Sequence, residues 1–86
     1  MPRALTIQRS VIPAPDRTKQ LERLRAKRDH YRSMQCRYWV FEEAAVHGAF
    51  VEFVEADSAE CLVTAHVSAP DAPIDATRVY LELELN

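Results

Sequence analysis

Glycine is almost absent from this chain, with Gly48 alone in 86 residues, and there are only two cysteines, Cys36 and Cys61. Two cysteines do not make the disulfide framework of a small secreted domain. They form no CxxC pair and join no Cys/His cluster at zinc spacing. Both sit in apolar stretches and read as small buried hydrophobes. The opening MPRALTIQRSV has no signal-peptide apolar run. No segment approaches the roughly 20 apolar residues of a membrane span. The expectation is a cytoplasmic protein without membrane association.

What is present is an ordinary globular balance, 48% hydrophobic and 28% charged. The length suits one domain. A chain this short hides only about 60–65% of its unfolded surface, so the core is thin and a partner subunit commonly completes it. The net charge of −2 conceals a segregation. Residues 1–41 carry ten Lys/Arg and three Asp/Glu, whereas residues 42–86 carry one Arg and ten Asp/Glu. Such a split marks either a basic binding surface or two halves that face each other.

Residues 4–11 alternate, with Leu5, Ile7 and Val11 opposite Thr6, Gln8 and Ser10, and predict a strand. Pro13 and Pro15 end it. Asp16 is a candidate N-cap for a helix over 17–34, with Leu21, Leu24, Tyr31 and Met34 as its apolar stripe and Lys27 on its charged back. Residues 36–42 and 48–56 read as strands joined as a hairpin, and Gly48 supplies a positive φ or a bulge. Asp57-Ser58-Ala59-Glu60 resembles a capping box with Asp57 as cap, opening a helix over 59–67 on Leu62, Val63, Ala65 and His66. Pro70 and Pro73 mark a loop. Residues 78–85 alternate and predict the last strand. Strand, helix, strand, strand, helix, strand is the ferredoxin-like α+β order: a four-stranded antiparallel sheet with both helices on one face.

Sorting each strand by side places Leu5, Ile7, Tyr38, Val40, Val51, Phe53, Val79, Leu81 and Leu83 under the helices. The bare face then carries Thr6, Gln8, Arg37, Trp39, Phe41, Phe50, Glu52, Val54, Tyr80, Glu82 and Glu84. That set is too aromatic for water and too polar for a dry core, which suits a wet interface or a ligand cleft. Arg37 is expected to pair with Glu52 or Glu82.

The stretch YWVFEEAAVHGAFVEFVEADSAECL, residues 38–62, together with the element order, resembles the dimeric α+β barrel superfamily and its antibiotic-biosynthesis-monooxygenase-like domains. The resemblance implies a homodimer in which two bare sheet faces close a barrel. It implies ligands between sheet and helices or inside that barrel. Some members oxidise aromatic polyketides without metal or flavin, and others degrade haem. Trp39 matches the tryptophan of some of the oxygenases. The asparagine that accompanies it there has no counterpart, since the only Asn is Asn86.

The leading expectation is a site for a small hydrophobic or aromatic ligand, needing no cofactor, bordered by Trp39, Tyr80, Gln8 and Arg37. Glu52 or Glu82 would move a proton there if the protein is a monooxygenase-like or isomerase-like enzyme. Against this stand ion pairing of the two glutamates and dimer packing of the two aromatics. A non-catalytic structural or regulatory homodimer is the second expectation. A third is nucleic-acid binding by the basic helix through Arg17, Lys19, Arg23, Arg25, Lys27, Arg28 and Arg32. Glu52, Glu82 and Glu84 on the sheet and the lack of an RNP-type run weigh against it. His30, His47 and His66 have no metal-site spacing.

Overall fold

The computed structural model describes residues 2–70 and 78–85. The first alternating run forms β1 (Ala4–Val11), and a short 3-10 turn over Ala14–Asp16 leads into α1 (Arg17–Ser33). A hairpin follows, β2 (Arg37–Glu42) and β3 (Ala49–Ala56), then α2 (Ala59–Val67) and β4 (Tyr80–Leu81). The strand order is β2-β3-β1-β4, antiparallel at every pairing. This four-stranded sheet with two helices is compatible with a ferredoxin-like fold. Pro73 lies outside the described residues.

Local chemistry sets the element ends. Asp16 occupies the N-cap position of α1, but its side chain caps nothing. The cap of α2 is Ser58, whose Oγ accepts from the Cys61 N–H at 3.2 Å, and not Asp57 as the sequence suggested. Cys61 is thereby held on an exposed turn, whereas Cys36 is buried; only one of the two is the expected core residue. After α1, Gln35 takes φ 61°, Gln35 N–H donates to Arg32 O at 3.1 Å and Cys36 N–H to Tyr31 O at 2.8 Å. This is a Schellman ending without a glycine. Gly48 has φ +89°, as expected, and a Cβ there would collide with the Ile12 carbonyl oxygen. The last strand is shorter than the predicted 78–85: only Tyr80 and Leu81 pair in register with β1, and residues 82–85 run on without strand assignment.

The register corrects the sorting of the strands. Thr6, Gln8, Phe50, Glu52 and Val54 lie on the helix-covered face, and Leu5, Ile7, Val51 and Phe53 on the open one. Tyr38 and Val40 are covered, and Arg37, Trp39, Phe41 and Tyr80 are open, as expected. The alternation holds, but in β1 and β3 the covered side is the opposite of the expected one, because the larger aliphatics of β1 turn away from the helices.

The main core is Ala4, Tyr31, Cys36, Tyr38, Val54, Ala56, Leu62 and Ala65. It joins α2 and the C-terminal half of α1 to the sheet. The buried positions of α1 are Gln20, Leu24, Lys27 and Tyr31, at helical spacings of four, three and four. Lys27 therefore belongs to the buried stripe and not to the charged back. Val63, expected to pack, is exposed.

Candidate functional site

Two polar groups meet beneath the helices. Glu52, 4% exposed, receives the Tyr38 hydroxyl at 2.7 Å and Lys27 Nζ at 3.2 Å on the same carboxylate oxygen. A buried carboxylate is tolerated only when paired and hydrogen-bonded, and here both conditions hold. Burial and the hydrogen bond to Glu52 push the Tyr38 hydroxyl far above its usual range. Next to it, Tyr31 stacks on Tyr38 at 5.5 Å, and its hydroxyl is joined to His66 Nδ1 at 2.8 Å. His66 Nε2 is joined to Thr6 Oγ1 at 2.7 Å. Burial, with help from Lys27 and His30, lowers the His66 pKa, so its ring is held neutral with one nitrogen donating and the other accepting. His30 Nε2 donates to the Ala65 carbonyl at 2.8 Å, tying α1 to α2.

Toward the N-terminal half of α1 the packing opens. A cleft of about 340 Å³ lies between the helix and β2–β3, walled by Leu21, Leu24, Tyr38, Val40 and Phe50, with Arg17, Arg25, Arg28 and Glu42 also lining it. Arg17 anchors one edge. Its two terminal nitrogens bind the two Glu42 oxygens at 2.7 and 2.9 Å, and its guanidinium lies 5.7 Å from the Phe50 ring centroid. Glu42 also accepts from the Gly48 N–H at 2.8 Å. The Arg17 hydrogen bond, then the Gly48 one, lower the Glu42 carboxyl to about 2. A second recess of about 390 Å³, lined by Ile12, Ala14, His47 and Gly48, shares Arg17 and Phe50 with the cleft.

The open face is different in kind. Trp39, Phe53 and Ile7 form one row across three strands, with Phe41 and Val51 in the next. Phe41 and Phe53 meet edge-to-face at 5.9 Å, while Trp39 is 42% and Phe41 57% exposed. At one end Arg37 binds Glu55 and Asp57, and Arg3 binds Glu55 and Glu82.

The expected site residues are therefore separated. Trp39, Tyr80 and Arg37 share the open face; Gln8 and Glu52 are cross-strand partners on the covered one. Glu82 ends the open-face ladder on Arg3, and Arg37 pairs with Glu55 and Asp57 instead of Glu52 or Glu82. Among the described residues, Trp39 and Tyr80 lie on the opposite side of the sheet from Gln8 and Glu52, so the four do not border one cleft. The residues that do line a cleft were missed as a set. Lys27 and Gln20, buried on α1 but outside the cleft lining, had a readable signal in their helical spacing from Leu24 and Tyr31. The Arg17–Glu42 clamp spans 25 positions and had none.

Among the described residues, no three His, Cys, Asp or Glu side chains gather to hold a metal ion, and no helix is long and apolar enough to cross a membrane. Comparison with protein-family models, with curated proteins and with solved structures gives no match.

Proposed function

We propose that this chain is a small-molecule-binding α+β domain that works as a homodimer. The ligand lies in the cleft between α1 and β2–β3, and the open sheet face joins two copies. The cleft carries the reading: its volume, about 340 Å³, falls at the small end of ligand pockets, and apolar walls with a few polar groups are their usual lining. Glu52 does not serve as a mobile base here, because Lys27 and Tyr38 both engage its carboxylate beneath α1. The domain is accordingly read as a binder and not as a proton-transfer catalyst. The dimer is supported by the exposed aromatic side chains Trp39 and Phe41 in adjacent rows of the open face.

Nucleic-acid binding by α1 has less support. Two of the seven cations named for it are already committed, Lys27 to Glu52 and Arg17 to Glu42.

The test is a screen of small aromatic compounds followed by amide chemical shifts. Binders should move Leu21, Leu24, Val40 and Phe50, and Val40→Trp should abolish the response while the fold persists. Binders that move only Trp39, Phe41 and Phe53 would place the ligand on the open face and overturn the reading.

A further inference from the structure

The cleft is unbalanced in charge, and the imbalance specifies its ligand. Three arginines and one carboxylate line it. Glu42 is fully used by Arg17 and the Gly48 N–H, so that pair is neutral and rigid. Arg25 and Arg28 remain. They stand one helical turn apart on α1 and so project to one side. Arg28 Nε touches its chain neighbour Asp29 at 3.1 Å, a contact between two exposed side chains that solvent largely screens. Arg25 makes no ion pair or side-chain hydrogen bond among the described residues. Behind both lies a hydrocarbon wall of Leu21, Leu24, Val40 and Phe50. Deeper still, the Lys27–Glu52 pair is closed on itself and offers no counter-charge.

We propose that the cleft takes an organic carboxylate. Its acid group sits at the mouth on Arg25 and Arg28, and a body of one or two rings lies against the apolar wall. This rests on the cleft reading above and adds the sign and position of the ligand's charge. Guanidinium groups bind carboxylates through two parallel donors, and two of them at one mouth favour a carboxylate strongly over a neutral amide. A guanidinium as a chemical group is charged throughout the ordinary pH range. Affinity should therefore stay flat from pH 6 to 9 and fall only where the ligand's own acid becomes protonated.

Three probes separate the possibilities: 2-naphthoate, its uncharged isostere 2-naphthamide, and inorganic phosphate, each titrated against the full chain by amide and arginine side-chain chemical shifts. The expected result is that naphthoate moves Leu24, Val40 and Phe50 together with the Arg25 and Arg28 side chains. Naphthamide should bind at the same residues about tenfold or more weakly. The double variant Arg25→Gln/Arg28→Gln, with an unchanged spectrum elsewhere, should reduce naphthoate to the amide's affinity and leave the amide's own unaltered. Equal binding of the two aromatics, or a preference that survives the double variant, overturns the charge assignment and leaves the cleft standing. Phosphate moving the arginines as strongly as naphthoate also overturns it, because the apolar wall would then contribute nothing. Failure of both aromatics to move the cleft residues removes the cleft reading itself and this inference with it.

Discussion

The two faces of the sheet each depart from a simple inside-out rule: charged and polar groups are buried on the covered one, and large aromatic side chains stand exposed on the open one. Under the helices lie Thr6 and Glu52, met by the buried His66 and Lys27 of the helices. On the face that no described element covers lie Leu5, Ile7, Trp39, Phe41, Val51 and Phe53. The covered face is otherwise apolar, with Ala4, Tyr38, Phe50, Val54 and Ala56 buried on it, and the helices bring partners for its polar groups: a lysine for the glutamate, a histidine for the threonine. The apolar face needs no specific partner within the chain, only another surface of similar shape. Each face thus asks for a different kind of cover, and the difference can be attacked from both sides.

The largest effect should come from the covered face. Replacing Lys27 or Glu52 alone with alanine strands its partner's charge under α1 and should cost about 3–5 kcal/mol. Urea denaturation reads this as a lower midpoint with an unchanged slope. Lys27→Met/Glu52→Leu/Tyr38→Phe removes every member of the cluster and should recover most of the loss, since a well-packed apolar cluster of similar volume replaces a buried pair at little or no net cost. A triple variant as unstable as the singles would mean that the polar cluster specifies this packing and does not merely tolerate it.

The open face should answer the other way. Phe41→Glu changes an exposed side chain, and in an isolated monomer its cost should stay within about 0.5 kcal/mol. In the proposed dimer it places a carboxylate amid the aromatic rows of two copies. Light scattering across a range of concentrations should then show the wild type at twice the chain mass and Phe41→Glu at the chain mass. A wild-type chain that stays monomeric at every concentration defeats the dimer and leaves the aromatic rows needing a different cover.

This contrast also explains which features of the fold are legible in the sequence. Element order, strand alternation and the Gly48 turn were legible because they depend on neighbours in the chain. Which side of β1 faces the helices was not, because that depends on a match between Thr6 and His66, 60 positions apart. Choosing the more apolar side as the inside is a sound rule for an isolated domain and misleads where a second hydrophobic surface is left open. In β3 the two sides are nearly tied: Phe50, Glu52 and Val54 against Val51, Phe53 and Glu55. Only the partner strands and helices break the tie. The cleft was hidden for the same reason, since its walls come from α1, β2 and β3 at once.

A third, intermediate effect concerns pH. His66 is joined through both ring nitrogens, to Tyr31 from α1 and Thr6 from β1, and Lys27 and His30 on α1 oppose its protonation. Its folded pKa is below the usual 6.5, so the unfolded chain binds the proton first as pH falls. The stability due to neutral His66 is therefore complete above about 6.5 and is lost as pH drops through the depressed folded value. Glu42 titrates separately, near 2. Denaturation midpoints between pH 7.5 and 5 should fall more steeply in the wild type than in His66→Gln. Parallel profiles would show that the covered face accepts the imidazolium without loss.

The smallest effect tests what sets the two faces of β2. The Schellman ending fixes where α1 stops and in which direction Cys36 leaves, and so turns Tyr38 and Val40 inward while Trp39 and Phe41 face out. Gln35 holds that ending at φ 61°, a conformation that glycine adopts freely and a residue with a Cβ does not. Glycine also loosens the unfolded chain, which works against the gain. At a left-handed helix terminus the relief of strain should prevail, and Gln35→Gly should stabilise by about 0.5–1 kcal/mol, raising the urea midpoint slightly. The cleft and the oligomeric state should not change, because no Gln35 side-chain contact contributes to either. A loss of stability on this substitution would mean that the Gln35 side chain, and not only its backbone, directs β2 onto the sheet.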